Sequence, residues 1–220
     1  MTSNFESKAT SGLCYPIISI MPPHDTYIET HLGSGSIMRN KPPALKNIAI
    51  DLNLKALRAF NCDYSVEKVH GCAHKFLKTY DFIGRELVYC DPPYLLYPST
   101  SDEFDYKEQD HIELLELLKG IDCSVIVSGD PSTLYDKLLK DWKNLELQIM
   151  NQGYVRTEKL WFNYSLDRVK WHRHFGKDPV DRQRIKRKAE SWARRYQEVP
   201  RGERLALLSA VMDVEAQEAD

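Results

Sequence analysis

No apolar run in this chain approaches the ~20 residues that span a bilayer, and its N-terminus carries no signal-peptide pattern. The protein is therefore expected to stay where it is made, in the cytoplasm, with no membrane partner. Cys-x-x-Cys is also missing: five cysteines, an odd number, stand far apart at Cys14, Cys62, Cys72, Cys90 and Cys123. They read as reduced thiols, which excludes a disulfide scaffold. The one local cluster of metal-ligand types is His70-Gly-Cys72-Ala-His74. Alternate spacing at a presumed strand end converges poorly on a tetrahedral ion, so no metal is expected. No internal repeat is present, which excludes a solenoid.

Excess charge of either sign is absent as well, with a formal net charge of −2 over 220 residues. That balance conceals an asymmetry. Residues 165–220 hold 13 Lys and Arg against 10 Asp and Glu, whereas residues 1–164 hold 17 against 22. The positive charge concentrates in 168–195, and the last residues are acidic (Asp213, Glu215, Glu218, Asp220). A basic patch on an otherwise acidic protein is what an electrostatic footprint for phosphate looks like.

What the chain does have is alternation. Short β-rich runs at 27–32, 47–51, 87–90, 123–128, 145–150 and 159–163 are interleaved with helical patterns, clearest at 109–119 and 132–140. This predicts βαβ units and an α/β fold with a mostly parallel, doubly covered sheet over residues 1–164. Residues 95–108 read as a long polar loop. From Asp178 the pattern changes to a helical hairpin. Ile185, Ala189, Trp192, Ala193 and Tyr196 form one face, Pro200-Arg-Gly202 makes the break, and Leu205, Leu208, Val211 and Met212 form a second stripe. Residues 165–220 are thus expected to be a basic helical extension. Its candidate phosphate-binding residues are Arg184, Lys186, Arg187, Lys188 and Arg195, with a solvated charged face as the equally weighted alternative.

Two motifs carry chemistry. In Tyr27-Ile-Glu-Thr-His-Leu-Gly33-Ser-Gly35, a strand runs into Gly-x-Gly, which lets backbone approach a ligand closely; sixteen residues on, Asp51 ends the next strand, where a carboxylate can accept ribose hydroxyls. The second motif is Val88-Tyr-Cys-Asp91-Pro92-Pro93-Tyr94. Two prolines hold the chain extended without donors, so carbonyls can face a pocket. A carboxylate and one such carbonyl can accept both hydrogens of an exocyclic amine, turning its nitrogen toward an electrophilic methyl group. The following ring can stack on a base that has left the duplex.

In order and spacing these residues resemble the Dam-type DNA adenine methylases, the Asp-Pro-Pro-Tyr family of N6-methyltransferases. The likeness covers about three-quarters of the chain. It takes in Tyr15-Pro16, Tyr27-Ile-Glu29, Leu32-Gly-Ser-Gly35, Asp51-Leu-Asn53, Glu86 to Tyr94, Val127-Ser-Gly129 with Leu134-Tyr135, and Glu158 to Tyr164. The resemblance implies a Rossmann-like fold, S-adenosyl-L-methionine as cofactor, base flipping, and double-stranded DNA in a bacterial or phage-infected cell as the setting. It also implies that Tyr15, Glu29, His31, Gly33, Ser34, Gly35, Asp51 and Asp91 surround the cofactor. Asp91 and the Pro92 carbonyl would hold the amine, Pro93 would shape the turn, and Tyr94 would stack on adenine.

Three departures stand out. Cys14 occupies the position of a cofactor-contacting lysine, and His31 replaces a phenylalanine. Only about forty residues separate Asp51 from Asp91, where relatives place a target-recognition domain of about a hundred. The chain therefore reads as a short form with short or relaxed specificity. Two other functions fit the same residues: adenine methylation of RNA or single-stranded nucleic acid, and a catalytically inactive nucleic-acid-binding relative. Transfer to the amine would be direct and in-line, so no cysteine nucleophile is expected.

Overall fold

The computed structural model describes residues 13–95, 106–151, 154–166 and 179–200, with 202–204, 206–207 and 210–211 beyond them. Most of the polar loop at 95–108 therefore lies outside the described residues. So do Leu205, Leu208 and Met212 of the expected second stripe, and the acidic end from Asp213. The chain divides into two compact units, Met1–Arg168 and Val169–Asp220.

The first unit is built on one seven-stranded sheet. Its strands are β1 (Thr26–Glu29), β2 (Lys46–Asp51), β3 (Glu67–His70), β4 (Glu86–Cys90), β5 (Ser124–Gly129), β6 (Lys143–Asn151) and β7 (Tyr154–Phe162). They lie in the order β3-β2-β1-β4-β5-β7-β6. The first five are mutually parallel, while β7 runs antiparallel to both β5 and β6. The sheet is therefore mostly parallel, as the alternation predicts, with β7 as its reversed member.

Burial explains why these residues make strands. Ile28, Ile48, Ile50, Val88, Cys90, Val125 and Val127 share one buried cluster with Leu77, Leu114, Leu115 and Leu118. The alternating residues Tyr27, Ala49, Leu87, Tyr89 and Ile126 are fully buried too. Both faces of the central strands are covered, which is the condition that lets parallel strands read as continuous apolar runs. Each such aliphatic side chain contributes roughly 1.5–3 kcal/mol by leaving water.

The helices of this unit are α1 (Cys14–Ser19), α2 (Ser36–Asn40), α3 (Leu54–Ala59), α4 (Ala73–Thr79), α5 (Glu108–Lys119) and α6 (Thr133–Leu138). In α5 the buried residues His111, Leu114, Leu115 and Leu118 recur at helical spacing, and Asp110 accepts the Lys107 N–H at 2.8 Å to close its N-terminus. Asn53 caps α3 by accepting from Lys55 and Ala56. Thus α3, β3 and α4 account for half of the stretch between Asp51 and β4.

In the second unit α7 (Pro179–Glu198) is a single 20-residue helix that ends just before Pro200. Its apolar stripe is narrower than the sequence predicts. Ile185, Ala189 and Tyr196 are half-buried, but Ala193 is exposed and Trp192 is 61% exposed. The helix end is fixed instead by polar contacts: Arg204 donates to the Val199 and Gln197 carbonyls, and the Tyr196 hydroxyl donates to the Arg204 carbonyl. Among the described residues no helix is long and apolar enough to cross a membrane.

Candidate active site

The strand order turns around between β1 and β4: the chain fills β2 and β3 on one side, then β4 and β5 on the other. In open α/β sheets, ligands bind outside the carboxyl ends of the strands at such a switch point. Both sequence motifs sit there. The Thr30 N–H donates to the Tyr89 carbonyl at 3.0 Å, and the Leu32 N–H to the Ile50 carbonyl at 3.1 Å, so the segment after β1 is laced to both neighbours. This also ends β1 at Glu29, three residues earlier than the sequence suggests.

The glycine loop is tight. Gly33 and Gly35 have φ of +52° and +69°, the left-handed region that favours glycine. At Gly35 a Cβ would stand 2.3 Å from the Phe60 ring, whereas at Gly33 it would meet nothing within 4 Å. Gly35 is therefore required by packing and Gly33 by backbone conformation, with open space above it. Ser34 is exposed, and its hydroxyl lies 2.7 Å from that of Ser36.

Asp51 ties this loop to β2. Its Oδ2 accepts the Gly33 N–H at 2.8 Å and its Oδ1 accepts the Asn53 N–H at 2.7 Å. Each oxygen retains a further lone pair.

Glu29, expected around the cofactor, ends β1 beneath the loop. It is 2% exposed, accepts the Tyr27 hydroxyl at 3.0 Å and bonds the Met38 backbone in the first turn of α2. Lys41, equally buried, lies 4.3 Å from the Tyr27 ring centroid. Burial pushes the Glu29 carboxyl up and the Lys41 ammonium down, so the cluster supports the loop from beneath. Tyr15 stands half-buried in α1, next to the buried Cys14.

At the end of β4 the parallel register pairs Cys90 with Val127, and the side chains of the next residues, Asp91 and Ser128, are hydrogen-bonded. The Ser128 hydroxyl donates to Asp91 Oδ1 at 2.8 Å, and the Tyr89 hydroxyl lies 2.8 Å from Ser128 Oγ. Pro92, Pro93 and Tyr94 form one wall of a small pocket; Ser128 to Ser132 and Tyr135 form the other. The Tyr94 hydroxyl donates to Oε2 of Glu158 at 3.3 Å, and Glu158 is fully buried in β7. Sequence reasoning assigned no part to Ser128, Tyr89 or Glu158, although all three fall inside segments that carry the family likeness.

A second missed feature is aromatic. Tyr106 packs edge-on against His31 at 5.8 Å and His111 at 4.7 Å, and against His74 at 5.8 Å. Burial lowers the pKa of both His31 and His111 to about 4, so both rings are neutral at physiological pH. Among the described residues, no group of His, Cys, Asp and Glu is arranged to hold a metal ion. All five cysteines are free thiols. Burial raises the Cys14 thiol and pushes Cys90 and Cys123 up to about 12, which leaves them poor nucleophiles.

In the second unit Arg184, Arg187, Lys188, Arg194 and Arg195 belong to α7, and Arg187, Lys188, Arg194 and Arg195 stand exposed on it. Lys186 is half-buried and 4.0 Å from Glu190. The Arg195 guanidinium lies 5.6 Å from the exposed Trp192 ring.

No family model and no curated protein matches the chain. Solved structures do match. The chain is similar to the Mtq2–Trm112 complex of E. cuniculi, responsible for methylation of the eRF1 translation termination factor. That match has 14% identity and a TM-score of 0.51, over 73% of this chain and 97% of that one. It is also similar to precorrin-6y C5,15-methyltransferase of Geobacter metallireducens (11% identity, TM-score 0.49, 75% and 93% covered). A third is magnesium protoporphyrin IX methyltransferase of Synechocystis with bound SAM (12%, 0.48, 74% and 86%). At such identities the likeness is one of fold. The first unit has the Rossmann-like α/β fold of methyltransferases.

Proposed function

We propose that the chain is an S-adenosylmethionine-dependent methyltransferase acting on the N6 amino group of adenine in nucleic acid, with DNA as the first candidate. The observation that carries this reading is the placement of Asp91-Pro92-Pro93-Tyr94 at the carboxyl end of β4, beside the glycine loop at the sheet's switch point. The residues present fit the cofactor. Open space above Gly33 admits a ligand against bare backbone, and both Asp51 oxygens can still accept ribose hydroxyls.

When bound, the cofactor supplies a methyl group on a sulfonium. The protein's part is positioning. Held by the Ser128 hydroxyl, the Asp91 carboxylate accepts one amine hydrogen, and the Pro92 carbonyl takes the other. The lone pair of the nitrogen is thereby aimed along the line of transfer. As nitrogen gains positive charge its remaining protons become acidic, and the adjacent carboxylate stabilises that charge. Tyr94, its hydroxyl anchored on Glu158, offers its ring to the base.

Incubating the protein with S-adenosylmethionine and duplex DNA, single-stranded DNA or RNA, followed by nucleoside mass spectrometry, tests this. N6-methyladenine in the duplex arm is expected; its absence from all three arms overturns the reading. One observation favours single strands as a second reading. Trp192 is exposed on a helix rich in Arg and Lys, and an exposed ring can stack on unpaired bases.

The Tyr94 series separates ring from hydroxyl. Tyr94→Ala should weaken binding of an extrahelical adenine by ~1–3 kcal/mol. Tyr94→Phe keeps the ring but loses the Glu158 anchor, and should fall between wild type and alanine in a 2-aminopurine binding assay. A phenylalanine variant as damaged as alanine would mean that stacking is not the main role.

Charge on α7 predicts salt dependence. Neutralising Lys186, Arg187 and Lys188 to glutamine should weaken DNA binding for all sequences alike. The slope of log affinity against log salt should become shallower by about 0.9 for each duplex phosphate that is no longer neutralised. Lys186, paired with Glu190, should contribute least. A salt series giving an unchanged slope would make α7 a solvated cap.

A further inference from the structure

We infer that Ser128 is a positioning residue for methyl transfer: a hydroxyl relay from Tyr89 through Ser128 fixes the carboxylate of Asp91 in the orientation that receives the amine. This rests on the adenine methyltransferase reading and names two residues that the reading does not require.

The relay follows from the position of one proton. Ser128 has a single hydroxyl hydrogen, and its neighbours include Asp91 Oδ1 at 2.8 Å, the Tyr89 hydroxyl at 2.8 Å and the Cys90 carbonyl at 3.5 Å. The shorter, charge-assisted bond to the carboxylate takes the proton. Tyr89, 2.8 Å from Ser128 Oγ, is then the donor to serine, and the serine cannot turn its proton back toward tyrosine. Tyr89 and Ser128 are both fully buried, on adjacent strands β4 and β5. Their positions are set by the sheet, not by a loop.

Asp91 differs from both. It is the first residue past β4, only partly buried, and followed by two prolines that carry no N–H. A carboxylate at a strand exit can rotate about χ1 and χ2. A strand-borne donor on Oδ1 restrains its plane, next to the pocket walled by Pro92, Tyr94 and Ser128. A hydrogen bond is directional and so selects the carboxylate plane as well as its position. Orientation of this kind acts on the chemical step, where small misplacements are costly, and hardly on cofactor affinity.

The test uses the full chain and steady-state methylation of the best acceptor found for wild type. Ser128→Ala is expected to lower kcat about 10- to 100-fold, with cofactor affinity by calorimetry and melting temperature close to wild type. Ser128→Thr, which keeps the hydroxyl, should recover most of the loss. Ser128→Cys, which keeps the volume but donates weakly, should not. Tyr89→Phe should cost less than Ser128→Ala, because serine alone can still bond Asp91. In an Asp91→Asn background, Ser128→Ala should add little, since the carboxylate it positions is gone.

Several results overturn the inference. One is a Ser128→Ala enzyme with wild-type kcat. A second is a loss matched by an equal fall in cofactor affinity and melting temperature, which marks a structural residue. A third is a loss undiminished in the Asp91→Asn background. A wild type with no methyl transfer to any acceptor overturns the adenine reading, and this inference with it; an active wild type equalled by Ser128→Ala overturns the inference alone.

Discussion

Replacing Asp91 by alanine is expected to cut methyl transfer by at least ~10²-fold, the scale seen when one pre-organised polar group is removed from a reacting centre. The fold should survive. Asp91 lies just past the end of β4, outside the apolar cluster that holds the sheet, so its side chain contributes little to burial. What the variant loses is an acceptor for the amine and a charge beside the nitrogen as it becomes positive. It also removes the charged acceptor of the buried Ser128 hydroxyl, which can then turn toward the Tyr89 hydroxyl at 2.8 Å or the Cys90 carbonyl at 3.5 Å. Cofactor binding should change far less than kcat, because the amine contact is made by the acceptor base. Single-turnover methylation at saturating cofactor, with circular dichroism and calorimetry as controls, measures the split. Near wild-type turnover by the variant would sink the proposed chemistry, whatever the fold.

The sequence made the sheet legible where both faces of a strand are covered. In β2, β4 and β5 the apolar residues run nearly without interruption because helices lie on either side. It did not reveal β3, whose four residues Glu67-Lys-Val-His70 stand mostly exposed at the sheet edge and alternate without an apolar run. Helices α1 to α4 are only five to seven residues long. That is about two turns at most, so helical periodicity has no room to appear, and packing rather than propensity holds them. On α7 the sequence pattern misled, since helical spacing put Trp192 with the apolar residues although it stands exposed.

The site divides in the same way. The places of Gly33, Gly35, Asp51 and Asp91 in the fold were legible because each ends a strand or opens a turn, where residue type reports local geometry. Ser128 and Glu158 were not, because their partners Asp91 and Tyr94 lie 37 and 64 residues away in the chain. Only the strand register brings them together. Glu29 is the converse case: its motif position suggests a ligand contact, and only the structure shows its buried bonds to the Tyr27 hydroxyl and the Met38 backbone.

Asp51→Ala should weaken S-adenosylmethionine binding about 10- to 100-fold, the equivalent of losing a charge-assisted acceptor worth ~1.5–3 kcal/mol. Two mechanisms lead there, and the structure separates them. The carboxylate can act directly, by accepting ribose hydroxyls with its remaining lone pairs. It also acts on the loop, since Oδ2 holds the Gly33 N–H at 2.8 Å and Oδ1 the Asn53 N–H at 2.7 Å. Gly33 is exposed, so water replaces the lost bond and the melting temperature should move little. The loop would nevertheless lose its tie to β2 at a residue held at φ +52°. A cofactor analogue without ribose hydroxyls distinguishes the two routes. If Asp51 binds ribose, wild type should lose most of its affinity on going to the analogue, and Asp51→Ala should bind cofactor and analogue about equally. If Asp51 acts only through the loop, the substitution should weaken both ligands by the same factor. Calorimetry on the four pairs gives the answer directly. Unchanged affinity of Asp51→Ala for S-adenosylmethionine itself would remove the end of β2 from the cofactor site, and the glycine loop would have to bind without it.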